Sequence, residues 1–217
     1  MLDYQKDFID YALARGVLKF GQFQLKSGRL SPYFFNTGLF NTGESLGKLG
    51  LYYAQALQQS GLSADILYGP AYKGIPLVSS TAIAYAQLTG QDMPFVFNRK
   101  EEKDHGEGGV LVGAPLQGNV VIVDDVISAG TSVNESMAII AQTPAKVTGV
   151  LIALDRQEQG GQSRLSAIDE LQARFALPVV AIITLANIID YLTQYPDNSN
   201  SLASIKAYQA RYGIGVK

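Results

Sequence analysis

The segment Val120–Ser132, VVIVDDVISAGTS, concentrates the chemistry of the chain. Four β-formers lead into two adjacent carboxylates, Asp124 and Asp125. Val126 and Ile127 follow, then Ser128, Ala129, Gly130, Thr131 and Ser132, where a helical pattern begins. In an open α/β sheet, ligands bind beyond the carboxyl ends of the strands. Small residues let backbone N–H groups approach an anion, and the N-terminus of the following helix favours negative charge. Thr131 and Ser132 add hydroxyl donors, so a phosphate monoester fits this cradle. Paired carboxylates would repel a triphosphate without a counter-ion, but they accept hydrogen bonds from sugar hydroxyls, so a sugar phosphate suits them better. Asp-Asp alone is most simply a strand ending in a polar turn; the whole segment favours the ligand. No Lys follows Gly-rich spacing of the nucleoside-triphosphate loop type, and no G-x-G-x-x-G occurs.

Four further segments hold candidate binding groups. Arg99–Gly109, RKEEKDHGEGG, brings Arg99, Lys100, Lys103 and His105 together, with glycines that allow a loop to open and close. Glu101, Glu102 and Asp104 nearly balance those cations, so composition alone also fits an ordinary solvated loop. Gly69–Gly74, GPAYKG, places Lys73 beside glycines at a strand end. In Leu154–Glu158, LDRQE, Arg156 can meet a planar carboxylate bidentately, or pair with Asp155 or Glu158. Phe23–Asn36, FQLKSGRLSPYFFN, sets Lys26 among turn formers and offers Phe34 and Phe35 as aromatic surface for a flat ring, or as core.

The elements that position these groups alternate between helices and short apolar strands, the signature of a parallel sheet in an α/β domain. Tyr4, Phe8 and Tyr11 recur at helical spacing before Gly16, and Leu46, Gly50, Tyr53 and Leu57 form a second stripe that stops at Gly61. Between them, Phe20 to Phe40 reads as short strands and turns. Five buried strands are predicted: Asp65 to Tyr68, Phe95 to Phe97, Val120 to Val123, Gly149 to Leu154 and Val179 to Thr184. Helices are predicted over Ile75 to Leu88 and Ser132 to Ala141, and along the stripe Leu165, Ile168, Leu171 and Phe175. Asn187 is expected to cap a helix from Ile188, and Ser201 another from Leu202. The expected organisation is an N-terminal annex (1–63), an α/β core (64–186) and C-terminal helices packed on it (187–217).

The 217 residues are 47% hydrophobic and 17% charged, a globular composition able to bury a sizeable core. Lys+Arg is 17 and Asp+Glu 19, so no basic field covers the surface, which argues against a nucleic-acid coat. Cysteine is absent and His105 is the only histidine, which excludes disulfides, thiolate zinc sites and multi-histidine metal sites, and suits a reducing cytoplasm. The N-terminus lacks the pattern of a secretory signal, and the longest apolar tract, Val179 to Ile189, is too short for a bilayer, so no membrane association is expected.

The segment around Asp124 resembles the phosphoribosyl-pyrophosphate signature of type I phosphoribosyltransferases. That resemblance implies a core with a central parallel sheet flanked by helices, plus a small N-terminal hood. It implies that Val126, Ile127, Ser128, Ala129, Gly130, Thr131 and Ser132 hold the 5′-phosphate, and that Asp124 and Asp125 hold the ribose hydroxyls. The pattern R-K-x-x-K-x-H-G is similar to the catalytic loop of orotate phosphoribosyltransferases. It implies that Arg99, Lys100, Lys103 and His105 serve the pyrophosphate side, with Lys103 and His105 joining Asp124 and Asp125 as catalytic residues. It further implies a homodimer in which the Arg99–Gly109 loop covers the neighbour's site. Tyr72 and Lys73 match pyrophosphate-binding positions, Lys26 a position that touches substrate, and Phe34, Phe35 and Arg156 the orotate site. Ser128 stands where many of these enzymes have threonine, and its hydroxyl can still reach orotate. The implied cofactor is Mg2+, held mainly through substrate, with Asp124 or Asp125 reaching it through water. The implied reaction joins orotate and phosphoribosyl pyrophosphate, giving orotidine 5′-phosphate and pyrophosphate in pyrimidine biosynthesis. A phosphoribosyltransferase for another base and a non-catalytic regulator of the same fold are the alternatives.

Overall fold

The computed structural model describes residues 1–25, 27–103, 109–127, 130–160, 165–195 and 199–214. Lys26, His105, Ser128 and Ala129 therefore lie outside the described residues. Helix α1 (Asp3–Ala14) buries Phe8, Ile9 and Ala12. A two-stranded antiparallel hairpin follows, β1 (Leu18–Gln24) and β2 (Leu30–Phe35), with a register shift between Phe20 and Phe23. A 3₁₀ turn at Thr37–Leu39 leads to α2 (Gly43–Ser60), capped by the Thr42 hydroxyl on the Ser45 N–H and closed by left-handed Gly61.

The main sheet then forms from β3 (Ile66–Gly69), β4 (Phe95–Lys103), β5 (Gly109–Gly113), β6 (Asn119–Val123), β7 (Lys146–Asp155) and β8 (Val179–Thr184). The intervening helices are α3 (Gly74–Thr89), α4 (Thr131–Ile140) and α5 (Ala167–Phe175); α6 (Leu185–Thr193) and α7 (Ser199–Tyr212) follow β8. The strand order is β5-β4-β3-β6-β7-β8, parallel throughout except for β5 against β4. Both faces are covered, as a parallel sheet requires. Leu67, Val121, Val123 and Leu151 pack on one side with residues of α1, α2, α3 and α6. Ile66, Tyr68, Ile122 and Ile152 pack on the other with Val133 and Ile140 of α4 and Ile168 and Leu171 of α5. Each fully buried aliphatic side chain contributes roughly 1.5–3 kcal/mol.

The order of the sheet determines where a ligand fits. From β3 the chain moves one way, to β4; after β5 it crosses to β6 and moves the other way. The switch point falls between β3 and β6, whose carboxyl ends carry Gly69–Gly74 and Asp124–Ser132, and a crevice opens there in such sheets.

Three expectations from sequence are corrected. The charged run after Phe97 continues β4 to Lys103, and a sixth strand, β5, pairs back on it, so much of the expected loop is an edge ribbon. Charged side chains are tolerated there because Lys100 and Glu101 are exposed. Helix α6 starts at Leu185 under a Thr184 cap; Asn187 instead returns its side chain to the Thr184 N–H at 2.9 Å, completing a capping box. Helix α7 begins at Ser199, not after Ser201.

Candidate active site

Asp124 and Asp125 occupy the first two positions beyond β6, and neighbours distant in sequence fix their backbone. The Asp124 N–H donates to the Leu151 carbonyl at 3.0 Å, and the Asp124 carbonyl accepts from the Tyr53 hydroxyl at 2.7 Å. The Ala153 N–H donates to the Asp125 carbonyl at 2.8 Å. Asp124 is buried, and desolvation pushes its carboxyl up to about 6 against the opposing pull of the Asp125 N–H; the Asp125 charge adds to the rise, and Ser132 and Lys73 oppose it. Its Oδ1 accepts from the Asp125 N–H at 2.8 Å. Asp125 accepts from its neighbour's N–H, Val126, at 2.7 Å, from Thr37 at 3.3 Å and from Lys73 at 2.6 Å.

Lys73 is the residue before α3. The approach of β3 to α3 explains the two glycines of GPAYKG: a Cβ on Gly69 would collide with the Gly74 carbonyl and Val78, and one on Gly74 with Pro70 and Gly69. The Ala71–Tyr72 peptide is cis, and the Ala71 N–H donates to buried Asn98 at 2.8 Å. Tyr72 is exposed. On the far side, left-handed Gly130 opens α4, with Thr131 and Ser132 in its first turn. Pro70 to Lys73, Asp124 to Ile127 and Gly130 to Val133 line a cleft of about 310 Å³.

A second cleft of about 460 Å³ lies on the other side of Lys73, Asp125, Val126 and Ile127, which line both. Phe35, Arg29, Asp155, Arg156 and Glu158 are among its other walls. Arg156 follows β7, and its Nε donates to Glu158 at 2.6 Å. Burial lowers its pKa, but Tyr33 and Glu158 outweigh that, so the net shift is upward and the guanidinium stays charged. Phe35 faces this cleft, whereas Phe34, its neighbour on β2, packs at a tilt against Phe23 with ring centroids 5.4 Å apart.

Arg99 and Lys100 line neither cleft. They stand on β4, where Arg99 donates to the Gly109 carbonyl at 3.2 Å and Lys100 pairs with Glu135 of α4, also at 3.2 Å. Lys103 ends β4, opposite Gly109. Sequence reasoning did not find Thr37, Tyr53, Ser31 or Arg29, and named Glu158 only as a surface partner for Arg156. Ser31 and Arg29 fall within the quoted Phe23–Asn36 segment, but nothing local marks Thr37 or Tyr53.

A cleft at the switch point walled by two carboxylates and a lysine, sharing part of that wall with an arginine-lined cleft, suits a transferase for a sugar phosphate. In agreement, the family described as phosphoribosyl transferase domain matches residues 39–175. Orotate phosphoribosyltransferase of Methylococcus capsulatus is 60% identical over 213 residues, covering 98% of this chain and 99% of that protein. The orotate phosphoribosyltransferase of Edwardsiella ictaluri is 56% identical over 214 residues, covering 99% and 100%. The crystal structure of orotate phosphoribosyltransferase from Francisella tularensis superposes with a TM-score of 0.88 at 44% identity, covering 95% of this chain and 99% of that one. The chain belongs to the phosphoribosyltransferases and, within them, to the orotate phosphoribosyltransferase family.

Proposed function

We propose that the protein transfers the phosphoribosyl group of 5-phosphoribosyl 1-pyrophosphate to orotate, releasing pyrophosphate and forming orotidine 5′-phosphate for pyrimidine biosynthesis. The observation that carries this reading is the common wall of the two clefts, Lys73, Asp125, Val126 and Ile127. A reaction that joins a sugar phosphate to a planar carboxylate-bearing base needs such adjacency. The cradle from Val126 through Ser128, Ala129 and Gly130 to Ser132 takes the 5′-phosphate, and Asp124 and Asp125 take the ribose hydroxyls. Phe35 and Arg156 receive orotate, with Lys26, Phe34 and Ser128 assigned to it by family likeness.

In the reaction the bond from ribose C1 to pyrophosphate breaks, and the electron pair leaves with pyrophosphate. Positive charge grows on the ring, and the orotate nitrogen, its proton lost to solvent, bonds to C1. The protein contributes positioning and electrostatics. Tyr72, Lys73, Arg99, Lys100, Lys103 and His105 take the pyrophosphate side, and the carboxylate charges favour the cationic ring.

Mg2+ suits this donor set: it prefers oxygen and keeps several water ligands, and Asp124 and Asp125 offer carboxylate oxygens in the wall of the first cleft. Bound there, it would neutralise charge on the pyrophosphate oxygens, with Asp124 or Asp125 holding its water. We further infer a cytoplasmic homodimer that shares the Arg99–Gly109 loop across its interface. Among the described residues no helix is long and apolar enough to cross a membrane.

The deciding experiment measures pyrophosphate release with orotate, uracil and hypoxanthine. Turnover confined to orotate is expected; preference for another base would overturn the reading.

A further inference from the structure

Glu158 gathers side chains from three separate parts of the chain. Its Oε1 accepts from Arg156 Nε at 2.6 Å and from the Tyr33 hydroxyl at 3.2 Å. Arg156 Nη2 also approaches Oε1 at 2.6 Å. Oε2 instead accepts from the Tyr208 hydroxyl at 2.8 Å, and Arg29 Nη1 lies 4.0 Å from it. The Arg156 guanidinium rests over the Tyr33 ring, 4.3 Å from its centroid, and Nη2 also reaches buried Ser31 at 3.2 Å. Arg29 is itself fixed, donating to the Gln159 and Gly160 carbonyls at 2.8 and 3.0 Å. In this cluster two guanidiniums face one carboxylate, and Asp155, Asp125 and Lys73 also line the second cleft.

The distribution over the two oxygens matters. An arginine and a carboxylate left to themselves favour the bidentate pair, in which two N–H groups meet two oxygens. Here both Arg156 nitrogens meet Oε1, while Tyr208 donates to Oε2. Burial, and then Glu158, push the Tyr208 hydroxyl up to about 12, so it remains a donor at neutral pH. A closed bidentate pair would turn the guanidinium toward Glu158 and away from a ligand in the cleft.

We propose that Tyr208, on α7, is a positioning residue for orotate: by occupying one oxygen of Glu158 it keeps the Arg156 guanidinium turned to the substrate carboxylate. This rests on the assignment of Arg156 to orotate made above. Tyr208 touches no reacting atom; it acts through Glu158 and through its own hydrogen bond with Arg156.

Tyr208→Phe tests this, because it removes the hydroxyl and keeps the ring that packs on Tyr212, 5.0 Å between centroids. The expected result is a rise in KM for orotate of about 3–10-fold, the scale of one hydrogen bond, with kcat and the KM for phosphoribosyl pyrophosphate within about twofold of wild type. Equilibrium binding of orotidine 5′-phosphate completes the test without turnover. Tyr208→Phe should weaken it in the wild-type background and add nothing in Arg156→Ala, the non-additivity of residues acting through one contact. An unchanged orotate KM, equal losses for both substrates, or full additivity with Arg156→Ala overturns the proposal. Wild-type protein that releases no pyrophosphate with orotate would show instead that the functional reading had failed, and the proposal would fall with it.

Discussion

Burial raises the pKa of Asp124 from 3.8 to about 6, and this has a consequence for stability. The native state holds the proton more tightly than the unfolded chain, so stability is greatest below about pH 4 as far as this group is concerned. It falls as pH rises through the window up to about 6, by on the order of 2–3 kcal/mol in all. Asp124→Asn removes that loss. We expect the variant to melt higher than wild type at pH 7.5, the gap closing toward pH 4, while its affinity for phosphoribosyl pyrophosphate falls. A variant no more stable at pH 7.5 would sink the argument from burial. Asp125 presents a different case, because its carboxylate already accepts hydrogen bonds from Lys73 and Thr37. Asp125→Asn is expected to leave folding intact and weaken donor binding by about 1–3 kcal/mol, the scale of a hydrogen bond to a charged group. Unchanged kinetics in a folded variant would remove Asp125 from the site. The two carboxylates were legible in the sequence because strand, acid pair, small residues and helix start are contiguous. Their supports were not: Thr37 lies 88 residues from Asp125 and Tyr53 lies 71 from Asp124, and local spacing carries no record of such contacts.

At the scale of elements, the site depends on how closely β3 and α3 approach. Gly69→Ala would press a methyl group into the Gly74 carbonyl and Val78, so α3 must shift, and Lys73 with it. Overpacking of this kind costs about 1–3 kcal/mol. For a chain of 217 residues that lowers the melting temperature by a few degrees, at about 2–4 °C per kcal/mol. Donor binding should weaken beyond what that instability explains, because the Lys73–Asp125 contact is displaced. A lower melting temperature with unaltered donor affinity would show that Lys73 tolerates the shift. The strands of the main sheet were legible wherever they form a continuous apolar run, which has few other readings: buried β6 and half-buried β8 stand where their apolar residues placed them. The β4–β5 ribbon was not legible. Its residues beyond Asn98 are charged or glycine and so mimic a loop, and the pairing of Val96 to Asn98 with Leu111 to Gly113, and of Lys103 with Gly109, makes them strands. The start of α6 was misplaced for a related reason: Thr184 both ends a β-branched run and caps a helix, and sequence alone assigns it to the strand.

For the whole molecule, sheet order bears on which subunit each residue serves. Arg156 follows β7, while Lys103 ends β4, and β3 and β6 stand between those strands. At about 4.8 Å per strand, three intervals separate the two residues by roughly 14 Å at the level of the sheet. Lys103 also lies on the ribbon that β4 forms with the edge strand β5. In a two-fold dimer that shares this ribbon, Lys103 serves the partner's site and Arg156 its own, and both sites are equivalent. Lys103→Ala and Arg156→Ala proteins, each nearly inactive, are therefore expected to complement one another once their subunits exchange. In a mixed dimer one site receives both defects and the other neither. Random exchange makes about half the dimers mixed, so roughly a quarter of all sites are intact and activity should rise toward that fraction of wild type. Exchange is verified independently with mass-tagged chains. If the ribbon instead closes over its own subunit, every site keeps one defect and mixing restores nothing. Verified exchange without recovery would thus refute the shared site while leaving the assignments of Asp124, Asp125 and Arg156 within each chain intact.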